Sequence, residues 1–139
     1  MTHPDVRSLS SALRSSPVLA YDGDCGFCQT SIDRIQALAA PTLEAVPWQF
    51  LPTESTSPYL ERLDREVLLL HGGSVLAGGA DALARYVSTS RSPAYRALAA
   101  LVRLPGIRAC ARVLYRWVSR HRHRLPGGTP ACAVPPRGA

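Results

Sequence analysis

The sequence predicts an α/β domain: a mixed sheet with flanking helices, extended towards its C-terminal end by two further helices. Three observations predict it. Short apolar runs bounded by turn residues alternate with segments of helical periodicity. Two of those runs are joined by Gly72-Gly73, which is hairpin chemistry. The 139 residues, 46% of them hydrophobic, hold enough apolar material for one core and little for a second.

Each element follows from its residues. Residues 1–16 are Ser-rich and aperiodic and read as a loose leader ending at Pro17. Val18 to Tyr21 is the first strand, and Asp22-Gly23-Asp24 is a turn. Beyond it Cys28, Ile32, Ile35 and Ala39 recur at i, i+4, i+7 and i+11, the mark of a helix with one buried face. Cys28 rides on that face one turn inside, and Cys25 stands at or just before the first helical residue. Pro41 ends the helix. "LEAVPWQF" (43–50) suits a second strand, and Pro47 places it at an edge or a bulge. A short helix is expected over 58–64. "REVLLLHGGSVLAGG" then predicts a hairpin of Val67 to Leu70 and Ser74 to Ala77. "ADALARYVSTS" follows as an amphipathic helix with Asp81 in its first turn, favourable to the helix dipole. This is the element order of a thioredoxin-like domain, in which a parallel crossover unit and an antiparallel hairpin share one sheet. The core is thus expected over 17–92. A basic helical extension of the same domain, with helices at 93–104 and 107–124, follows it, and 125–139 form an irregular Pro/Gly-rich tail.

Charge is unevenly spread. Residues 1–81 carry all ten acids against five arginines, while residues 82–139 carry eleven arginines and no acid. Such polarity points to a partner with an anionic surface. No apolar run approaches the roughly 20 residues that span a bilayer, and the N-terminal stretch lacks a signal-peptide apolar block. A cytoplasmic protein, able to act peripherally at a membrane, is the expectation.

The cysteines carry the chemistry. Cys25, Cys28, Cys110 and Cys132 are not spaced as a small disulfide framework, and a lone C-x-x-C in a reducing compartment is redox-active or metal-binding more often than a permanent staple. For redox work, an exposed first sulfur attacks a substrate disulfide and the second, one turn inside, resolves the mixed disulfide. The attacking species is the thiolate, and a helix N-terminus lowers a cysteine pKa from about 8.5 towards ~3.5–7.5. Asp22 and Asp24 oppose that shift, so a milder one is expected than in strongly oxidising proteins. The metal alternative would have to draw on Cys110, Cys132, His71, His121 and His123, which offer no second C-x-x-C and no H-x₃₋₅-H spacing.

"YDGDCGFC" (21–28) resembles the signature of the DCC family of predicted thiol-disulfide oxidoreductases, the DUF393 domain, named for an Asp and two Cys: here Asp22, Cys25 and Cys28. "GGADALARYV" after the hairpin and "YRWVSRHRHRL" near the C-terminus are similar to later stretches of that family, so the resemblance spans about residues 18–134. It implies a thioredoxin-like fold and dithiol–disulfide exchange with disulfide-containing proteins or small molecules, with Cys25 as nucleophile, Cys28 as resolving thiol and no cofactor beyond the dithiol. Asp22 is then the candidate proton acceptor for Cys28; the alternative is a turn residue that satisfies backbone N–H groups. Thioredoxin itself places a cis-proline just before its third strand, facing the dithiol. "LDREVLLL" has none, which removes the usual support for substrate docking along that backbone edge.

Two cysteines and a basic stripe remain. Cys110 falls with Ile107, Ala111, Leu114 and Val118 on one helical face, which favours core packing over redox work. Cys132 lies in the tail, as an inert thiol or a third exchange partner. Arg108, Arg112, Arg116 and Arg120 recur every four residues, continued by Arg122 and Arg124 and flanked by Tyr115 and Trp117. With no acid interleaved to pair with it locally, the stripe reads as a solvated face or as a contact for an anionic surface, such as lipid headgroups or a membrane protein. Nucleic acid fits the charge, but no base-reading motif accompanies it. The competing class is therefore a basic adaptor, bound to a membrane surface or to nucleic acid, whose C-x-x-C is structural or holds a metal.

Overall fold

The computed structural model describes residues 15–121 and 124. Four strands form one mixed sheet in the order β2-β1-β3-β4: β1 Val18–Tyr21, β2 Glu44–Pro47, β3 Leu68–His71 and β4 Ser74–Gly78. β1 runs parallel to β2, with Val18 opposite Glu44 and Tyr21 opposite Pro47, and antiparallel to β3. The first helix, α1 (Gly26–Ala39), makes the crossover that a parallel pair requires. This is a mixed α/β sheet with flanking helices, consistent with the thioredoxin-like expectation.

Every residue of β1 is buried, because helices or helical turns cover the sheet on both sides. One face packs Val18, Ala20, Val46, Leu68 and Leu70 against Leu51 and Leu63. The short helices α2 (Thr53–Thr56) and α3 (Leu60–Leu63), with a 3₁₀ turn between them, lie in this stretch, where a single short helix over 58–64 was expected. The opposite face packs Leu19, Tyr21 and Leu69 against Ile32 of α1 and against Ala82 and Tyr86 of α4 (Gly79–Ser88). Alternate residues of β1 and β3 thus serve two cores, as the period of two demands.

The hairpin turn is made by Gly72 (φ 57°) and Gly73 (φ 87°), both in the region that disfavours side chains, and β2 is the edge strand that Pro47 required. The last two helices are α5 (Pro93–Val102) and α6 (Pro105–His121). Among the described residues no helix is long and apolar enough to cross a membrane.

α6 corrects three expectations. Its contact face is turned towards Tyr115 and Ser119: Tyr115 packs on the second core, and the Ser119 hydroxyl donates to the Arg65 carbonyl. Cys110, expected in the core, is therefore an exposed thiol, and Leu114 on the same expected face is 63% exposed. Tyr115, expected beside the basic stripe, faces inward. The stripe is not wholly unpaired either. Asp81 of α4 accepts from Arg108 Nε at 2.9 Å and from Arg112 Nη2 at 2.7 Å, so the acid missing from α6 is supplied by the neighbouring helix. The leader to residue 14, Arg122 and the tail with Cys132 lie outside the described residues.

Candidate active site

β1 delivers the chain into the turn Asp22-Gly23-Asp24, and the turn delivers it to α1. The Cys25 N–H bonds back to the Asp22 carbonyl at 3.3 Å, and the Cys25 carbonyl accepts the Gln29 N–H at 3.0 Å as the first helical bond. Cys25 is thus the N-cap residue, in extended conformation (φ −86°, ψ 113°). No acid sits in the first turn of α1, so the N–H groups at the helix start act on Cys25 without a carboxylate in that turn to offset them. Cys28 lies one turn along, on the face that packs beside Tyr21, Ile32 and Ile35.

Exposure runs opposite to expectation. Cys25 is fully buried and disulfide-bonded, whereas Cys28 is half-buried and a thiol, so the disulfide of Cys25 is not a Cys25–Cys28 bridge. In this state Cys28 is the sulfur that borders open space. It lines a groove of about 350 Å³ between α1 and α6, with Phe27, Ile32, Leu83, Leu114 and Val118 among the other walls. Burial pushes the Tyr21 phenol above its usual range, and Asp33, Tyr86 and Cys28 add to the effect. Tyr21 therefore stays neutral and lends the dithiol no charge.

Asp22 is buried, and its carboxylate has two donors: Oδ1 accepts the Asp24 N–H at 3.0 Å and Gln49 Nε2 at 2.9 Å. The first of these is the turn role that competed with proton transfer. The second involves a residue that the sequence did not single out. The Gln49 amide uses all its arms on this turn, since Nε2 also donates to Asp24 Oδ2 at 3.3 Å and Oε1 accepts the Gly23 N–H at 3.0 Å. Gln49 lies in the 3₁₀ turn Trp48–Phe50 directly after β2, the parallel neighbour of β1, which is how it reaches a loop 26 residues earlier. Gly23 permits the approach: a Cβ there would lie 2.6 Å from Pro47 Cβ.

The residue before β3 is Val67. Its N–H donates to the Tyr115 hydroxyl at 2.9 Å and its carbonyl accepts the Gly79 N–H at 2.9 Å. Both backbone polar groups at this edge are engaged within the chain, in line with the absence of the proline on which thioredoxin's docking edge depends. As for a metal, no group of three His, Cys, Asp or Glu side chains among the described residues could hold one.

A mixed sheet whose first strand feeds a C-x-x-C at a helix N-terminus is the framework of thioredoxin-like thiol chemistry. The comparison with family models agrees: the model for DCC1-like thiol-disulfide oxidoreductase matches residues 19–128, and the chain belongs to this family. No curated protein and no solved structure matches the chain.

Proposed function

We propose that the protein exchanges electrons with disulfides through Cys25 and Cys28, Cys25 being the attacking sulfur and Cys28 the resolving one. The observation that carries this reading is the placement of Cys25 as N-cap of α1 with Cys28 one turn inside. Charge at a helix start is stabilised when it is negative, which favours the thiolate at Cys25. Once a thiol reductant has opened the disulfide that Cys25 carries in this structure, the Cys25 thiolate attacks a disulfide RS–SR′, forming Cys25–S–S–R and releasing R′S⁻. The Cys28 thiolate then attacks Cys25 Sγ, forming the Cys25–Cys28 disulfide and releasing RS⁻. Asp22 stands two residues before Asp24 in the turn that bonds to Cys25, and we assign it the proton that leaves Cys28. Cys25 must become uncovered for the first attack; the groove already gives access from the side of Cys28.

Trapping tests the order of attack. Cys28→Ser accumulates mixed disulfides with a disulfide substrate, and Cys25→Ser does not. Equal trapping by both variants, or by neither, removes the assignment.

A second reading concerns location. Arg116 and Arg120 make no ion pair among the described residues, and Val113 (66% exposed) and Trp117 (53%) stand beside them on α6. Arginines next to exposed apolar and aromatic side chains fit contact with an anionic lipid surface, which would bring the dithiol to substrates at a membrane.

A further inference from the structure

The groove that Cys28 borders has walls of a definite chemistry. α1 contributes Phe27, Ser31, Ile32 and Ile35, α4 contributes Ala80 and Leu83, and α6 contributes Ala111, Leu114, Tyr115, Val118 and Ser119, with Val67 completing the lining. None of these side chains carries a charge. Among the described residues, the side-chain polar atoms offered are the hydroxyls of Ser31, Tyr115 and Ser119 and the Cys28 sulfur. One hydroxyl donates to the Arg65 carbonyl and another accepts the Val67 N–H. At about 350 Å³ the space is at the small end of the range for ligand pockets, room for a few side chains.

Two consequences narrow the occupant. A charged small-molecule disulfide would exchange hydration for an uncharged wall and gain no ion pair. An extended substrate backbone cannot add to the chain at Val67, because its N–H and carbonyl are taken by Tyr115 and Gly79. What remains is recognition by apolar side chains, and Leu114, 63% exposed on the rim, offers them surface to cover.

We infer that the groove between α1 and α6 binds apolar side chains flanking the disulfide of a polypeptide substrate, and so sets the protein's substrate class. This rests on the exchange reading above. Its continuity with Cys28 puts the bound side chains next to the sulfur that must resolve the mixed disulfide, so binding energy there is available to the reaction itself. α6, the basic extension, thereby acts as a wall of the substrate site.

The test uses the full-length reduced protein and two peptides with the same intramolecular disulfide, one flanked by Leu residues and one by Ser. The expected second-order rate constant for reduction of the peptide in a single turnover is about tenfold or more higher for the Leu-flanked peptide, the order of discrimination an apolar pocket supplies. Leu114→Glu brings the ratio close to one, and Leu114→Ala falls between; an unchanged unfolding midpoint shows that the helix is still docked. A wild-type ratio near one, or a ratio that Leu114→Glu leaves intact, overturns the inference. So does concentration-dependent self-association abolished by Leu114→Glu, which would give the groove to a second copy. A preference that emerges only when residues 125–139 are deleted would give it to the chain's own end and overturns it too. If neither peptide is reduced, the exchange reading itself fails, a result distinct from equal rates.

Discussion

Gln49 Nε2 lies 2.9 Å from Asp22 Oδ1, and with this bond a residue after β2 fixes the turn that presents the dithiol. The same amide donates to Asp24 and accepts from Gly23, so a single neutral side chain separates two carboxylates next to a site that must form a thiolate. Gln49→Glu removes the donors and adds a third carboxyl. Negative charge raises a nearby thiol pKa. The expected outcome is a pH–rate profile for dithiol exchange displaced to higher pH, measured with a peptide disulfide. A profile that stays in place would leave Gln49 as a turn brace only.

Asp22→Asn separates the two roles of that carboxylate. Asparagine keeps an oxygen for the Asp24 N–H but cannot take a proton from Cys28. If Asp22 is the proton acceptor, resolution slows and mixed disulfide accumulates, while the fold, followed by its unfolding midpoint, changes little. Unaltered resolution across the pH range would leave Asp22 with its turn role alone.

The sheet, the hairpin and the strand–turn–helix around the cysteines were legible because they depend on local signals: periodicity, Gly72-Gly73, and Pro47 at an edge. The positions of Asp22 in the turn and of Cys25 and Cys28 at the helix start were legible for the same reason, but not which of the two sulfurs is buried. Gln49 was not, since its role is set by the parallel pairing of β1 with β2, a contact between residues 26 apart for which "VPWQF" carries no pattern. The misplaced face of α6 has a similar origin. Apolar periodicity alone gave Ile107, Cys110 and Leu114 to the core, but the Tyr115 hydroxyl bonding Val67 and the two arginines reaching Asp81 fix the helix in a different rotation. Polar anchors of this kind leave no trace in a hydrophobic pattern.

Tyr115→Phe tests that anchoring. The Val67 N–H, on a buried residue before β3, would lose its acceptor, and a stranded buried donor costs about 1–3 kcal/mol. Chemical denaturation should show a loss of this size with little change in the dependence on denaturant. No measurable loss would mean that water replaces the phenol.

The Asp81 pair predicts an acid-side effect. The hydrogen bond from Arg108 lowers the pKa of the Asp81 carboxyl most; burial opposes it, and the hydrogen bond from Arg112 with the charges of both arginines tips the balance, so that the group lies below its ordinary value. A carboxyl with a lowered folded-state pKa contributes stability that is present above its unfolded value near 3.8 and is lost as pH falls through the folded value. Wild type should therefore unfold at a higher temperature than Asp81→Asn at neutral pH, and the two curves should converge below about pH 4. Both arginines are about half exposed, so the difference should be small and should shrink with added salt. A gap that persists at low pH would point to packing of the asparagine as its cause.

The outer side of α6 yields the last prediction. With Arg108 and Arg112 committed to Asp81, the arginines left for a partner on the described part of the helix are Arg116 and Arg120, and Arg124 is exposed beyond its end. Each basic side chain near an anionic leaflet contributes about 1 kcal/mol, so three give weak, reversible attachment that physiological salt reduces. Trp117, stacked on His121 with ring centroids 4.6 Å apart, supplies an aromatic face at the same surface. Co-sedimentation with phosphatidylserine-containing vesicles should therefore exceed that with zwitterionic vesicles, most clearly at low salt. Replacing Arg116 and Arg120 by Gln should remove most of the difference, and replacing Arg108 and Arg112 should act chiefly through stability. Equal binding to both kinds of vesicle at either salt concentration would sink the membrane contact, and retention by duplex DNA alone would instead favour the nucleic-acid adaptor.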